Sequence, residues 1–164
     1  MLQIRSAKTS DVPVISRMAQ PLVESRVLLG KELVEAYGAI QEFIVAEKDN
    51  KVVGFGALHV MWEDLAEVRT LVVDENSKRQ GIGKALLEEL EKRAKDLGIK
   101  RVFCLTFEKE FFGANGYKVI SDVPVDPETY AELVRSHDDG VAEFLDLARV
   151  KQNTLGNSRM LKQL

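Results

Sequence analysis

The stretch from Leu71 to Leu97 constrains this chain most. An apolar strand end, Leu71-Val72-Val73, gives way to a polar loop from Asp74 to Gln80 and then to Gly81-Ile82-Gly83. From Lys84 onward Ala85, Leu86, Leu87, Leu90, Ala94 and Leu97 recur at helical spacing, and Gly98 supplies a C-terminal stop. A strand that feeds a glycine turn and then an amphipathic helix leaves free backbone N–H groups at the helix start. The helix dipole favours negative charge there. Glycines let a ligand approach the backbone because no Cβ intervenes. A pyrophosphate is the natural guest, and Lys78, Arg79 and Lys84 add positive charge. The alternative is a glycine-capped helix start with solvated basic residues; the order of strand, loop, glycines and helix favours the anion site. The segment is no Walker loop, because no Lys-Ser/Thr pair follows at the required spacing. It is no dinucleotide fingerprint either, because Leu86 stands where the third glycine belongs.

The rest of the chain alternates strands and helices around this unit. Residues 2–6 read as a strand. Thr9-Ser10-Asp11 caps a helix with Pro13 in its first turn, which Pro21 should end. A second helix is expected over 31–40, and strands over 43–47, 52–61 and 67–73. Beyond the long helix come a strand over 101–107, a short helix over 109–115 and a strand over 117–120. Pro127 opens a helix through Arg135, while 142–150 reads as helix or strand and 151–164 as a tail that is polar until Arg159-Met160-Leu161. The expected fold is α/β (α+β): one domain over 1–164 with a mixed, mostly antiparallel sheet flanked by helices.

Charge and composition narrow the function. The 23 basic and 26 acidic residues leave a net charge of −3, which gives no footprint for nucleic acid. Two histidines and one cysteine make a dedicated metal site unexpected. Cys104 lies in the apolar run Val102-Phe103-Cys104-Leu105 and reads as a buried free thiol. The first residues lack the basic start and apolar stretch of a signal peptide, and no run is long enough to span a bilayer. The expectation is a cytoplasmic protein with a small-molecule substrate, no membrane and no nucleic acid.

Lys78-Arg79-Gln80-Gly81-Ile82-Gly83 resembles the acyl-CoA loop of GNAT acetyltransferases, whose pattern is Gln/Arg-x-x-Gly-x-Gly/Ala, with Lys in place of the first residue. A second mark of that family follows, an aromatic pair, three residues, then Gly and an aromatic: Phe111-Phe112-Gly113-Ala114-Asn115-Gly116-Tyr117. The resemblance covers the chain to about residue 120. It implies acetyl-CoA as cosubstrate, held by Arg79, Gln80, Gly81, Ile82, Gly83 and Lys84, with Leu71, Val72 and Val73 along its pantetheine arm and Phe111 and Phe112 beside it. The runs Val53 to Trp62, Glu67 to Val73, Arg101 to Phe112 and Asn153 to Leu161 are similar to the acetyltransferase domain of N-acetylglutamate synthases, in particular the short single-domain bacterial form. That implies L-glutamate as acceptor and the first step of arginine synthesis. A homodimer is carried by the fold resemblance alone.

Amine acetylation needs a base and a donor for the developing oxyanion. Glu67, on the strand leading to the loop, is the expected base; a carboxylate salt-bridged to Arg69 is the alternative. The Val72 N–H is the expected oxyanion donor. The family's usual acid is a tyrosine where this chain has Phe112, which cannot donate a proton. Glutamate calls for fixed cations. Arg69, Lys31 and the tail residues Asn157, Ser158 and Arg159 are expected around it, Ser158 matching a serine of the synthases. The longer synthases carry an arginine two residues before that serine, where this chain has Gly156.

Overall fold

Strand β1 (Leu2–Ser6) pairs antiparallel with β2 (Phe43–Lys48), and β2 with β3 (Lys51–Trp62) through the Asp49-Asn50 turn, where both residues take positive φ. β3 pairs antiparallel with β4 (Leu65–Val73). Helix α3 (Ile82–Asp96) then crosses over to β5 (Arg101–Thr106), which runs parallel to β4; a parallel neighbour requires such a crossover. The computed structural model describes residues 1–145 and 156–164. Within them the remaining elements are α1 (Val12–Glu24), α2 (Leu33–Gly38), α4 (Lys109–Ala114), β6 (Lys118–Ile120), α5 (Pro127–Leu133), α6 (Asp139–Phe144) and β7 (Ser158–Gln163). The sheet has seven strands in the order β1-β2-β3-β4-β5-β7-β6, mixed through its single parallel pair.

The two faces of the sheet carry different loads. On one face Ile82, Leu86, Leu87 and Leu90 of α3 pack on Ile44, Leu58, Ala66, Val68, Val102 and Cys104. Burial pushes the Cys104 thiol far above its ordinary range, which fits a packed rather than a reactive cysteine. The other face is covered in two parts. Ile15 of α1 packs on Phe43, Val45, Phe55 and Val72. Leu133 of α5 and Val141 and Phe144 of α6 pack on Met61, Leu65 and Phe103, with Phe144 edge-on to Phe103. A cleft opens between these two helical caps.

Three expectations change. Pro21 does not end α1: the helix runs on to Glu24, and the Pro21 carbonyl accepts the Ser25 N–H at 3.1 Å. So close to the C-terminal end, proline forfeits one helical bond and little else. The second helix is shorter than expected, Leu33–Gly38. The tail, expected to be polar as far as Arg159-Met160-Leu161 and given no element, supplies β7, which sits inside the sheet between β5 and β6 with Met160 buried. Within the uncertain 142–150 stretch, α6 accounts for residues to Phe144; 146–155 lie outside the described residues.

Candidate active site

The turn into α3 has the form the glycines imply. Gly81 precedes the helix with φ +78°, a left-handed conformation that a side chain disfavours, and a Cβ on it would point into open space. The first helical bond joins the Ala85 N–H to the Gly81 carbonyl at 3.0 Å. The N–H groups of Ile82, Gly83 and Lys84 therefore have no partner within the helix. The first turn holds no acidic residue. Lys78 and Lys84 pair loosely with exposed Glu75 and Glu88, Gln80 accepts from Lys48 at 3.0 Å, and Arg79 is exposed. Phe111 lies over Gly83, where a Cβ would meet its ring at 3.4 Å.

β4 and β5 pair over three residues only, Leu65 to Glu67 against Arg101 to Phe103. Beyond Glu67 the strands part, which leaves the far edge of β4 unpaired. The cause sits on β4. Its register with β3 moves from Ala57↔Arg69 to Phe55↔Val72, so Thr70 and Leu71 face the single residue Gly56, and Thr70 takes φ +50°. This is a β-bulge; it bends the strand and reverses which side chains face which way. Glu67 and Arg69 face away from α3, whereas Leu71 and Val73 join the α3 core.

The same register corrects the expected oxyanion donor. The Asp74 N–H bonds the Val53 carbonyl at 2.8 Å, so alternation turns the Val72 N–H toward β3 as well, opposite Phe55. The backbone edge that faces the split belongs to Leu71 and Val73. The amides of this strand that are turned toward the split are therefore those of Leu71 and Val73.

On the Glu67 side lies the cleft, about 630 Å³, within the usual size range of small-molecule sites. Glu67 is buried, 5 % exposed, and its Oε1 accepts from Arg69 Nε at 2.5 Å. Burial raises its carboxyl above the ordinary range, against the pull of Arg69. All three nitrogens of Arg69 are bonded to carboxylates. Its Nη1 and Nη2 fork onto Asp138 at 3.1 and 2.7 Å, which holds the Asp138 carboxyl well below its usual range. The salt-bridged alternative for Glu67 is thus what forms, inside the cleft, and Arg69 is not a free cation waiting for a carboxylate. Lys31 lines the opposite wall and is exposed.

The tail residues divide. Asn157 Nδ2 donates to Glu143 Oε1 at 2.8 Å, and Ser158 pairs with Thr106 at the end of β5. Arg159 Nη1 donates to the Phe144 carbonyl at 2.6 Å, so it anchors the end of α6 rather than lining the cleft. Phe112 is packed edge-on between Phe111 and Tyr117 in the α3 core, 5 % exposed. That burial is at odds with the expected contact to the cofactor. Tyr117 donates to the buried Glu91 at 2.9 Å and is likewise structural.

Sequence reasoning missed Asp138, Glu143, Thr70 and the pair formed by His59 Nδ1 and Glu42, 2.8 Å apart, all of which line the cleft. Asp138 carries a local signal as the N-cap of α6, accepting from the Val141 N–H at 2.9 Å, but nothing in the sequence aims it at Arg69. Burial pushes the Glu143 carboxyl up to about 7, with Asn157 opposing and Glu67 adding to the rise. Among the described residues no cluster of three or more His, Cys, Asp or Glu could hold a metal ion, and no helix is long and apolar enough to cross a membrane.

Comparison with known proteins agrees with this geometry. The acetyltransferase (GNAT) family profile matches residues 20–117. An amino-acid acetyltransferase from Mycobacterium tuberculosis is 52 % identical over 161 residues, 96 % of this chain and 92 % of that protein. A Mycobacterium tuberculosis structure in complex with CoA and NLQ superposes with a TM-score of 0.94 at 51 % identity, over 99 % of each chain. The N-acetylglutamate synthase of Neisseria gonorrhoeae, complexed with CoA and N-acetyl-glutamate, matches with a TM-score of 0.79 at 23 % identity. All of this chain then covers 35 % of the larger protein, a likeness of fold. The glycine turn, the bulged β4 and the split sheet thus belong to a recognised architecture: this chain is a member of the acetyltransferase (GNAT) family.

Proposed function

We propose that this protein is a cytoplasmic amino-acid N-acetyltransferase that moves acetyl from acetyl-CoA directly to the α-amine of L-glutamate, the first step of arginine biosynthesis. The observation that carries the reading is a juxtaposition: an anion-receptive helix start and an open β4 edge on one side of the split, and a carboxylate-lined cleft on the other. The name of the Mycobacterium tuberculosis relative and the N-acetyl-glutamate bound by the Neisseria gonorrhoeae neighbour support the substrate class.

In this reading the backbone N–H groups of Ile82, Gly83 and Lys84 receive the pyrophosphate of acetyl-CoA, with Arg79, Gln80 and Gly81 leading into them and Phe111 above Gly83. The pantetheine arm pairs with the free edge at Leu71 and Val73 and lies along Val72 on the same strand. The Leu71 N–H polarises the thioester oxygen. The amine enters from the cleft. Glu67, held in one orientation by Arg69, accepts a proton as the C–N bond forms. Lys31 borders the acceptor, Asn157 acts on it through Glu143, Ser158 closes the end of the β5–β7 pair behind it, and Arg159 holds the end of α6 in place.

A second reading is favoured by the charge of the cleft. Its lining includes Glu35, Glu42, Glu67, Asp138, Asp139 and Glu143 against Lys31 and Arg69, and Arg69 is already paired twice. A neutral side-chain amide meets less repulsion there than a second carboxylate, so L-glutamine is the competing acceptor. Thiol release from acetyl-CoA against a panel of L-amino acids tests both. Saturable turnover with glutamate supports the first reading. Higher kcat/KM for glutamine assigns the side-chain subsite to an amide. Turnover with neither rejects the amino-acid reading while leaving the family intact.

A further inference from the structure

One group in the cleft is unexplained by the chemistry above. Glu143 sits on α6 and lines the cleft together with Thr70 of β4 and Leu105 of β5. Its Oε1 is held by Asn157, but its Oε2 is buried and, among the described residues, no donor reaches it. An orphaned buried carboxylate oxygen is costly and persists where something else supplies the donor. The groups facing it do not. Arg69 is committed to Glu67 and Asp138, and Arg159 donates to the Phe144 carbonyl. His59, another lining residue, is paired with Glu42, and neither Lys31 nor His137, which also line the cleft, donates to this oxygen.

Resting on the amino-acid acetyltransferase reading, we propose that Glu143 is the carboxylate that captures the substrate's α-ammonium and takes its first proton. An ammonium offers three donors and a positive charge, which is what Oε2 lacks. Two protons must leave the nitrogen, and of the carboxylates that line the cleft Glu143 and Glu67 are placed differently: Glu143 has an oxygen without a donor, and Glu67 is held by Arg69. Glu143 takes the first, converting R–NH3⁺ to R–NH2. The nitrogen lone pair then attacks the thioester carbon, the C–N bond forms and the carbonyl electrons move to oxygen. The tetrahedral nitrogen gives its second proton to Glu67. Collapse breaks the C–S bond, and the departing thiolate takes that proton from Glu67 to become CoA thiol. The proton on Glu143 passes to water as product leaves. A carboxylate raised to near neutrality suits the first task, because a base works best with its acidity near the working pH.

The test is steady-state kinetics of the full chain with acetyl-CoA and L-glutamate or L-glutamine between pH 6 and 9, for the wild type, Glu143→Gln, Glu143→Asp and Glu67→Gln. In Glu143→Gln the kcat/KM for the amino acid should fall about 100-fold and its rise centred near pH 7 should vanish, with acetyl-CoA affinity by calorimetry unchanged within about twofold. Glu143→Asp should recover part of the rate and the rise. Glu67→Gln should lower kcat and keep the rise. A rise near pH 7 that survives in Glu143→Gln overturns the assignment. So does joint loss of acetyl-CoA binding and activity in both Glu143 variants, which marks a structural role. A wild type that binds acetyl-CoA yet turns over neither amino acid removes the amino-acid reading itself and this proposal with it.

Discussion

Glu67 combines two properties that seldom coincide: it is almost fully buried, and it is tied to a guanidinium that is itself tied to a third group, Asp138. The triad costs desolvation of three charges and gains charge-assisted bonds in a fixed geometry. Its value in a cleft is orientation. Glu67→Gln keeps the shape and the acceptor for Arg69 but cannot take a proton. We expect kcat to fall about 100-fold with acetyl-CoA KM little changed, measured by thiol release. The sign of the stability effect also follows. Burial raises the folded-state affinity of Glu67 for a proton above its ordinary value of 4.5. The native state therefore binds more protons than the unfolded chain just above that pH, and ionising Glu67 costs stability as pH rises. The melting temperature of Glu67→Gln relative to wild type should accordingly climb as the pH rises above 4.5. A flat difference would mean that Arg69 cancels the burial cost.

At the scale of elements, the bulge in β4 does most to create the site. Thr70 stands at φ +50° with its Oγ1 buried and unpartnered, two costs at one β-branched residue. Thr70→Gly removes both and adds the flexibility cost of glycine, about 1 kcal/mol. We expect unfolding stability in urea within about 1 kcal/mol of wild type or above it; a loss of more than about 2 kcal/mol would show that the threonine side chain itself holds the bulge. Gly81→Val is the opposite case. Space is open, but the left-handed backbone and a branched Cβ turned toward the anion position should weaken acetyl-CoA binding by about tenfold or more in a calorimetric titration. The glycine loop and long helix were legible in sequence because glycine spacing and the 3.6-residue period are local signals. The bulge was not, because no residue in Arg69-Thr70-Leu71 is a usual left-handed former. The Val72 assignment failed for the same reason: one inserted residue exchanges which amides face the split. Asp138 meets Arg69 from 69 positions away, and Glu143 joins the same cleft, through the packing of Phe144 on Phe103, which no local pattern encodes.

For the whole molecule, the last strand decides whether the second half of the sheet exists. β7 pairs with β5 over six residues and with β6 over three, so it is an interior strand although it comes last in sequence. It also fixes the site. Asn157, just before it, holds Glu143, and Arg159 within it holds the end of α6. Its polar composition hid it, because Lys162 reaches Glu91 at 3.0 Å beside Tyr117 and only Met160 is driven fully into the core. Met160→Ala therefore tests the strand without removing any cleft residue. Deleting a buried methionine side chain costs about 2–5 kcal/mol. In a chain of this size that corresponds to a melting temperature lower by roughly 5–15 °C. If β7 docks as part of the one cooperative unit, a single transition should shift by that amount, and acetyl-CoA should restore part of it by binding the folded state. A shift below about 2 °C would mean that β7 contributes little to the fold. A split into two transitions would mean that β7 and β6 melt apart from the remainder, with the Glu143 side of the cleft leaving first.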